Sequence, residues 1–366
     1  MSTQRTLVTI FLRGGADGLT LLPPIHDEVY RRARPTLAIN EGHRVDDRFV
    51  LHPGLAPLAP LYDGGQMAII PASGSDDDTR SHFYAQDLME HGGKTVAGGW
   101  IGRFLRDAIN PSAAGVLDAI TVGSAVSESL RGAPNATAFS TLADLVDSNT
   151  DQVMLDTLAR WYAKDPLLGA PATAAVAASA QLQALQQAED KPQHHAEYPT
   201  EKSHGAIAAD FGKRLRLIAR LIQADLGMRS ACIDLDGWDS HFVQSSVITP
   251  RIDALGAGLA AFIADLGPAL DRVSIVVLSE FGRRVAENTS LGTDHGRGGV
   301  SFVIGGGVHG GIKGTWPGLN DDVLEGPGDV PVTTDYRDVL WPVLQRHGAT
   351  NAQAVFPEHQ LRPLAI

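Results

Sequence analysis

Six short apolar runs punctuate the chain, at residues 7–12, 67–71, 119–122, 231–235, 273–278 and 300–304. Most lack strict alternation of apolar and polar positions, as strands covered on both faces of a parallel sheet do. Segments with helical spacing lie between them. Residues 55–62, 83–91 and 100–109 are short; 206–226 and 252–266 are long and amphipathic. Strands alternating with helices predict an α/β fold: a doubly wound three-layer sandwich with a mostly parallel central sheet. The stretch 127–200 breaks the rhythm. It is rich in Ala and Gln up to Asp190 and polar thereafter, which predicts a helical and loop insertion in a single domain spanning 1–366. The paired His194 and His195 lie in its polar end, beside Pro192 and Pro199, and read as a solvated loop in preference to a metal site.

Composition narrows the chemistry. With 43% hydrophobic and 20% charged residues the chain is an ordinary globular sequence, not a disordered or fibrous one. A single cysteine, Cys232, excludes intrachain disulfides and zinc sites built on several thiolates, so any metal must sit on His and carboxylates. Thirty basic against 42 acidic residues leave a net charge of −12. That field disfavours nucleic acid and anionic membranes as partners. No run of about eighteen apolar residues is present, so no membrane span is expected. The N-terminus leads straight into the first strand, and a cytoplasmic location is expected.

In open α/β sheets ligands gather at the carboxyl ends of the strands. Four such ends carry clustered functional residues. Asp17, held in Gly14-Gly15-Ala16-Asp17-Gly18 after the first strand, is placed either to bind a hard cation or to cap the next helix. The run Asp76–Phe83 offers Ser81, with Thr79 as a competing hydroxyl, at a helix start where backbone N–H groups favour an oxyanion. Arg80 is a candidate clamp for an anionic substrate. Asp239 and His241 are two residues apart on an extended loop and can reach one ion. Glu280 and Arg283 follow the strand 273–278, and Asp294 and His295 precede the strand 300–304. Asp17, Asp239, His241, Glu280 and His295 are expected on one sheet edge.

The ordered motifs FLRGGADG (11–18), LHP (51–53), TRSHF (79–83), GGWIGRFL (98–105), GWDSH (237–241), SEFGRR (279–284), TDHG (293–296) and PVTTDYRDV (331–339) resemble the bacterial DUF1501 family. That family in turn is similar to the alkaline phosphatase and sulfatase superfamily of metal-dependent hydrolases. The resemblance implies an alkaline-phosphatase-like fold holding one or two divalent ions (Zn, Mn, Mg or Ca). Asp17, Asp239, His241, Glu280, Asp294 and His295 are the implied metal ligands, and Ser81 or Thr79 the implied nucleophile. Arg80 and Arg283 would steady the charge on the transferred group, and His82 would shuttle the leaving-group proton. The superfamily's Asp-His-Gly is here Glu280-Phe281-Gly282, so Phe281 removes one imidazole. Asp294 could compensate, or the second ion could be lost.

The implied reaction is hydrolysis of a small anionic phosphate or sulfate ester. A non-catalytic anion-binding protein, or a metal-dependent phosphoryl transferase or isomerase, are the alternatives. Relatives often carry a twin-arginine leader, so a periplasmic location is expected if one precedes this chain. The aromatics Trp100 and Trp238 are either pocket walls or core.

Overall fold

The computed structural model of the chain describes residues 4–94, 96–107, 117–145, 152–187 and 196–366. Its strands are, in order, β1 Thr6–Arg13, β2 His43–Arg44, β3 Val50–Leu51, β4 Met67–Gly74, β5 Ala119–Val122 and β6 Ala136–Phe139. They continue with β7 Ser230–Asp236, β8 Val273–Leu278, β9 Gly299–Gly305, β10 Gly311–Ile312 and β11 Thr334–Asp335. β2 and β3 pair with each other. The remaining nine form one sheet in the order β10-β4-β9-β8-β1-β7-β5-β6, with β11 also on β4. β1 runs parallel to β7 and β8, and β5 runs parallel to β6 and β7. The α/β class and the mostly parallel sheet are those the apolar pattern predicts.

Burial on both faces explains why that pattern does not alternate. In β1, Val8, Ile10 and Leu12 point into a core shared with Phe211, Leu215 and Ile218 of the helix Glu201–Gln223 and with Ile252, Leu255 and Leu259 of the helix Gln244–Leu266. Leu7 and Phe11 point the other way, onto Phe104 of the helix Trp100–Asp107 and Val339, Leu340 and Leu344 of the helix Tyr336–Arg346. Each such side chain contributes about 1.5–3 kcal/mol on leaving water.

The structure adds to the sequence reading in three places. The region 127–200 opens with β6, an edge strand of the main sheet; its helices Gln152–Tyr162 and Gly169–Gln187 come later. Ala136-Thr-Ala-Phe139 is too short and too weakly apolar to stand out as a strand. His194 and His195 lie outside the described residues. Second, the helical stretch Gln244–Arg272 is long and apolar enough to cross a membrane by length and composition, although here it is a core element. Third, of the two readings of Trp100 and Trp238, the structure has the core one: both are buried.

The strand that positions the site is β9. It runs antiparallel to both neighbours, β4 and β8. In a wholly parallel sheet, residues preceding a strand sit on the opposite edge from those following one. Reversal of β9 brings its entry, residues 293–298, to the edge where β1, β4, β7 and β8 end.

Candidate metal centre

Four loops meet at that edge. The β1 turn makes room for the β7 loop through Gly14, whose φ is +117° and whose missing Cβ would lie 2.4 Å from the Asp239 backbone nitrogen. Gly292 likewise lets the β8–β9 loop pack on His241, since a Cβ there would lie 2.3 Å from the His241 carbonyl. His82 begins the helix His82–His91 after β4.

Three imidazoles converge on one carboxylate. Nε2 of His82, His241 and His295 lie 3.6, 3.2 and 3.5 Å from the Asp239 carboxylate oxygens. Nε2 of His241 and of His295 are 2.9 Å apart. The opposite nitrogen of each ring is committed to an oxygen. His82 Nδ1 donates to Glu280 at 2.8 Å, His241 Nδ1 to Asp294 at 3.3 Å and His295 Nδ1 to the Arg80 carbonyl at 2.8 Å. Since carboxylates and carbonyls only accept, each Nδ1 carries a hydrogen, and Nε2 of each ring is the atom turned to the centre.

This arrangement fits a cation. Buried His82 Nε2 has no hydrogen-bond partner, and the Nε2 atoms of His241 and His295 face each other beside the Asp239 carboxylate. The donor atoms of His82, Asp239 and His295 all lie within 4.8 Å of one another, close enough to share an ion. Backing each ring with an oxygen is also how metal-bound histidines are fixed in tautomer and orientation.

The surrounding groups hold the donors in their ligand forms. Burial would raise the Asp239 carboxyl, but the hydrogen bond and charge of Arg283, with His241 and His82, outweigh it and hold it below the usual range. Burial also works against ionised Glu280, and donation from His82 and Gln86 overcomes it. Asp294 is likewise held low against desolvation, by Asn288, His241 and Arg284. Burial and the nearby Arg283, His82 and His241 lower the His295 imidazolium, against the Arg80 carbonyl, so His295 is neutral at neutral pH. The Asp239 side chain, 48% exposed, marks the open side.

Of the residues singled out from the sequence, the structure brings Asp239, His241 and His295 together. It adds His82, which the sequence cast as a proton shuttle. Glu280 and Asp294 stand one step out, each holding a ring. Asp17 does not join them. Its buried carboxylate is shared by Arg34 (Nη1 at 2.5 Å, Nη2 at 3.1 Å), Gln244 Nε2 at 2.6 Å and Thr20 Oγ1 at 2.7 Å, and it caps the helix Gly18–Leu21. Arg283 is not turned to a substrate: its buried guanidinium donates to the Gly14, Gly15 and Thr293 carbonyls and to Asp239 at 2.8 Å. The Arg80 guanidinium is bound to buried Asp329. Thr79 Oγ1 donates to Asp77 at 2.9 Å, whereas the Ser81 side chain makes no capping bond. Phe281 is an apolar wall, with ring centroids 4.8 and 4.9 Å from those of His82 and His295.

Sequence reasoning missed Gln86, which donates to Glu280 at 2.8 Å and accepts from Arg13 at 3.2 Å. The i, i+4, i+8 spacing of His82, Gln86 and Glu90, a polar stripe along one helix face, could have signalled it. Glu280→Gln is expected to weaken metal binding about 10–100-fold, the usual effect of losing such a backing carboxylate; competition with a chromogenic chelator measures it.

An α/β sheet with a histidine-rich cluster on its carboxyl edge defines the class. The chain belongs to the family described as "Protein of unknown function (DUF1501)", whose model matches residues 72–350. No curated protein matches it. Among solved structures it is similar to the C-terminal periplasmic domain of EptC from Escherichia coli in complex with Zn, at 8% identity and TM-score 0.38, over 84% of this chain and 74% of that one. A Mg-bound variant of the alkaline phosphatase from the Antarctic bacterium TAB5 follows at 10% identity and TM-score 0.35, covering 98% and 100%. The lipoteichoic acid synthase LtaP from Listeria monocytogenes also matches at 10% and 0.35, covering 95% and 72%.

Proposed function

We propose that the chain is a metal-dependent hydrolase of phosphate or sulfate esters, with one divalent ion held by His82, Asp239, His241 and His295. The observation that carries this reading is the convergence of three Nε2 atoms on Asp239, each ring backed by an oxygen. A donor set of imidazoles and a carboxylate with no thiolate favours zinc among the candidate ions. When bound, such an ion polarises an ester oxygen and lowers the pKa of a neighbouring hydroxyl or water.

The charges favour this too. Asp239, Glu280 and Asp294 against Arg283 and Arg284 leave the centre one unit negative, which repels an anionic ester. A divalent cation reverses that sign. Ser81 precedes His82 in the chain, and its hydroxyl is free of the Asx-type bond that occupies Thr79. We assign its Oγ as the nucleophile: the Oγ–phosphorus or Oγ–sulfur bond forms as the bond to the leaving oxygen breaks, the hydroxyl proton passes through solvent to that oxygen, and water then releases the acid and restores the hydroxyl. The first N–H groups of the helix His82–His91 face the charge that develops.

The test is turnover of p-nitrophenyl phosphate and p-nitrophenyl sulfate by zinc-loaded protein, beside Ser81→Ala. We expect activity in the parent, a loss of about a thousandfold or more in the variant, and unchanged metal content. Full activity in Ser81→Ala moves the nucleophile to water. Ligand binding without turnover of any ester favours the non-catalytic reading.

A further inference from the structure

Exposed large apolar side chains cluster at the rim of the metal centre. Phe83 (88% exposed) and Tyr84 follow His82; Phe242 (68%) and Val243 follow His241; Leu291 lies four residues before His295. The Phe242 ring sits 6.5 Å from that of His241. Scattered single apolar residues on a surface need no explanation, but several that directly follow or precede candidate ligands in the chain do.

Two of these residues are held in the left-handed region, Val243 at φ 41° and Leu291 at φ 58°. For a β-branched residue this is a real outlier, retained only where the surroundings over-determine it. Here they do. Val243 N donates to the Ser290 carbonyl at 3.0 Å and Gln244 N to the Leu291 carbonyl at 2.8 Å. Asn288 Nδ2 ties the same loop to the His241 carbonyl at 3.0 Å. The Gln244 side chain is locked inside by Asp17, Ser240 and Thr293. Phe242, Val243 and Leu291 are thus presented to solvent on a rigid shelf fixed to a ligand-bearing loop.

We infer that this shelf, with Phe83 next to His82 in the chain, receives the organic group of the substrate, so that the preferred esters carry an aryl or alkyl group. This rests on the ester reading and deepens it. A molecule anionic at one end and apolar at the other matches a surface that changes from metal donors to Phe and Val within one residue.

The test compares binding of phenylphosphonate and methylphosphonate to zinc-loaded protein by calorimetry. Neither is hydrolysed, so the readout is independent of turnover. Phenylphosphonate is expected to bind about tenfold tighter, the return on burying roughly 60 Å² of apolar surface. In Phe83→Ser and Phe242→Ser the preference should vanish, while zinc content and methylphosphonate affinity stay as in the parent. Equal affinities in the parent, or a preference that survives both substitutions, overturns the inference and leaves the ester reading standing. Failure of both phosphonates to bind the zinc-loaded protein overturns both. A dimer that dissociates in either variant makes the shelf an interface between copies and overturns it as well.

Discussion

Protein loaded with zinc and passed through gel filtration is expected to keep one ion per chain, and Asp239→Ala and His295→Ala to keep almost none. Asp239 touches all three rings, so its removal takes one ligand and frees the other three from their common centre. Losing a backing group alone is worth about 10–100-fold in affinity, and a direct ligand is worth at least the upper end of that. Elemental analysis of parent and variants decides the point. One ion is expected because the donors gather at a single place: His82, Asp239 and His295 lie close enough to share an ion, with His241 against Asp239 and His295. Melting offers a second readout. Bound metal stabilises the folded state by about 4 kcal/mol at a thousandfold excess over Kd, so a chelator should lower the parent's Tm and leave that of Asp239→Ala unmoved. A parent that takes up no ion removes the basis of the hydrolase proposal.

Asp17→Ala is expected to have an effect of a different kind: a large loss of stability with the ion retained. Asp17 and Arg34 are both fully buried and paired through two bonds. Arg34 also donates to the Val285 and Arg284 carbonyls, so it cannot leave when its partner is removed. An uncompensated buried charge costs about 3–5 kcal/mol, a third or more of a domain of ordinary stability. Urea denaturation gives the loss, and zinc analysis of the folded fraction gives the contrast. Parallel loss of metal and stability would return Asp17 to the ligand set that the sequence suggested.

Those two results would separate what was legible in the sequence from what was not. Asp239, His241 and His295 could be read because Asp and His beside buried strands have few structural reasons to cluster. Asp17 has the same local signature, yet its role depends on Arg34, the residue closing the helix Glu28–Ala33. Nothing near Asp17 announces that a guanidinium will arrive there. Arg283 shows the same limit, since the sequence cast it as a residue steadying the transferred group while the fold buries it completely. His82 could be located but not assigned, because its role follows from which nitrogen meets Glu280. The run 300–304 identified a strand, and its direction in the sheet was not written in its residues.

The reversal of β9 also divides the centre by chain distance. Glu280, Arg283, Asp294 and His295 all belong to the one connection between β8 and β9, where Arg283 and His295 already pair across a short antiparallel bridge. That half closes over a modest stretch of chain, at little entropic cost. His82 and the Asp239–His241 pair arrive by connections of far greater length, whose contacts form slowly. Half of the centre is therefore a local structure and half a product of global closure, and no cation can be fully enclosed until β4 and β7 have both docked.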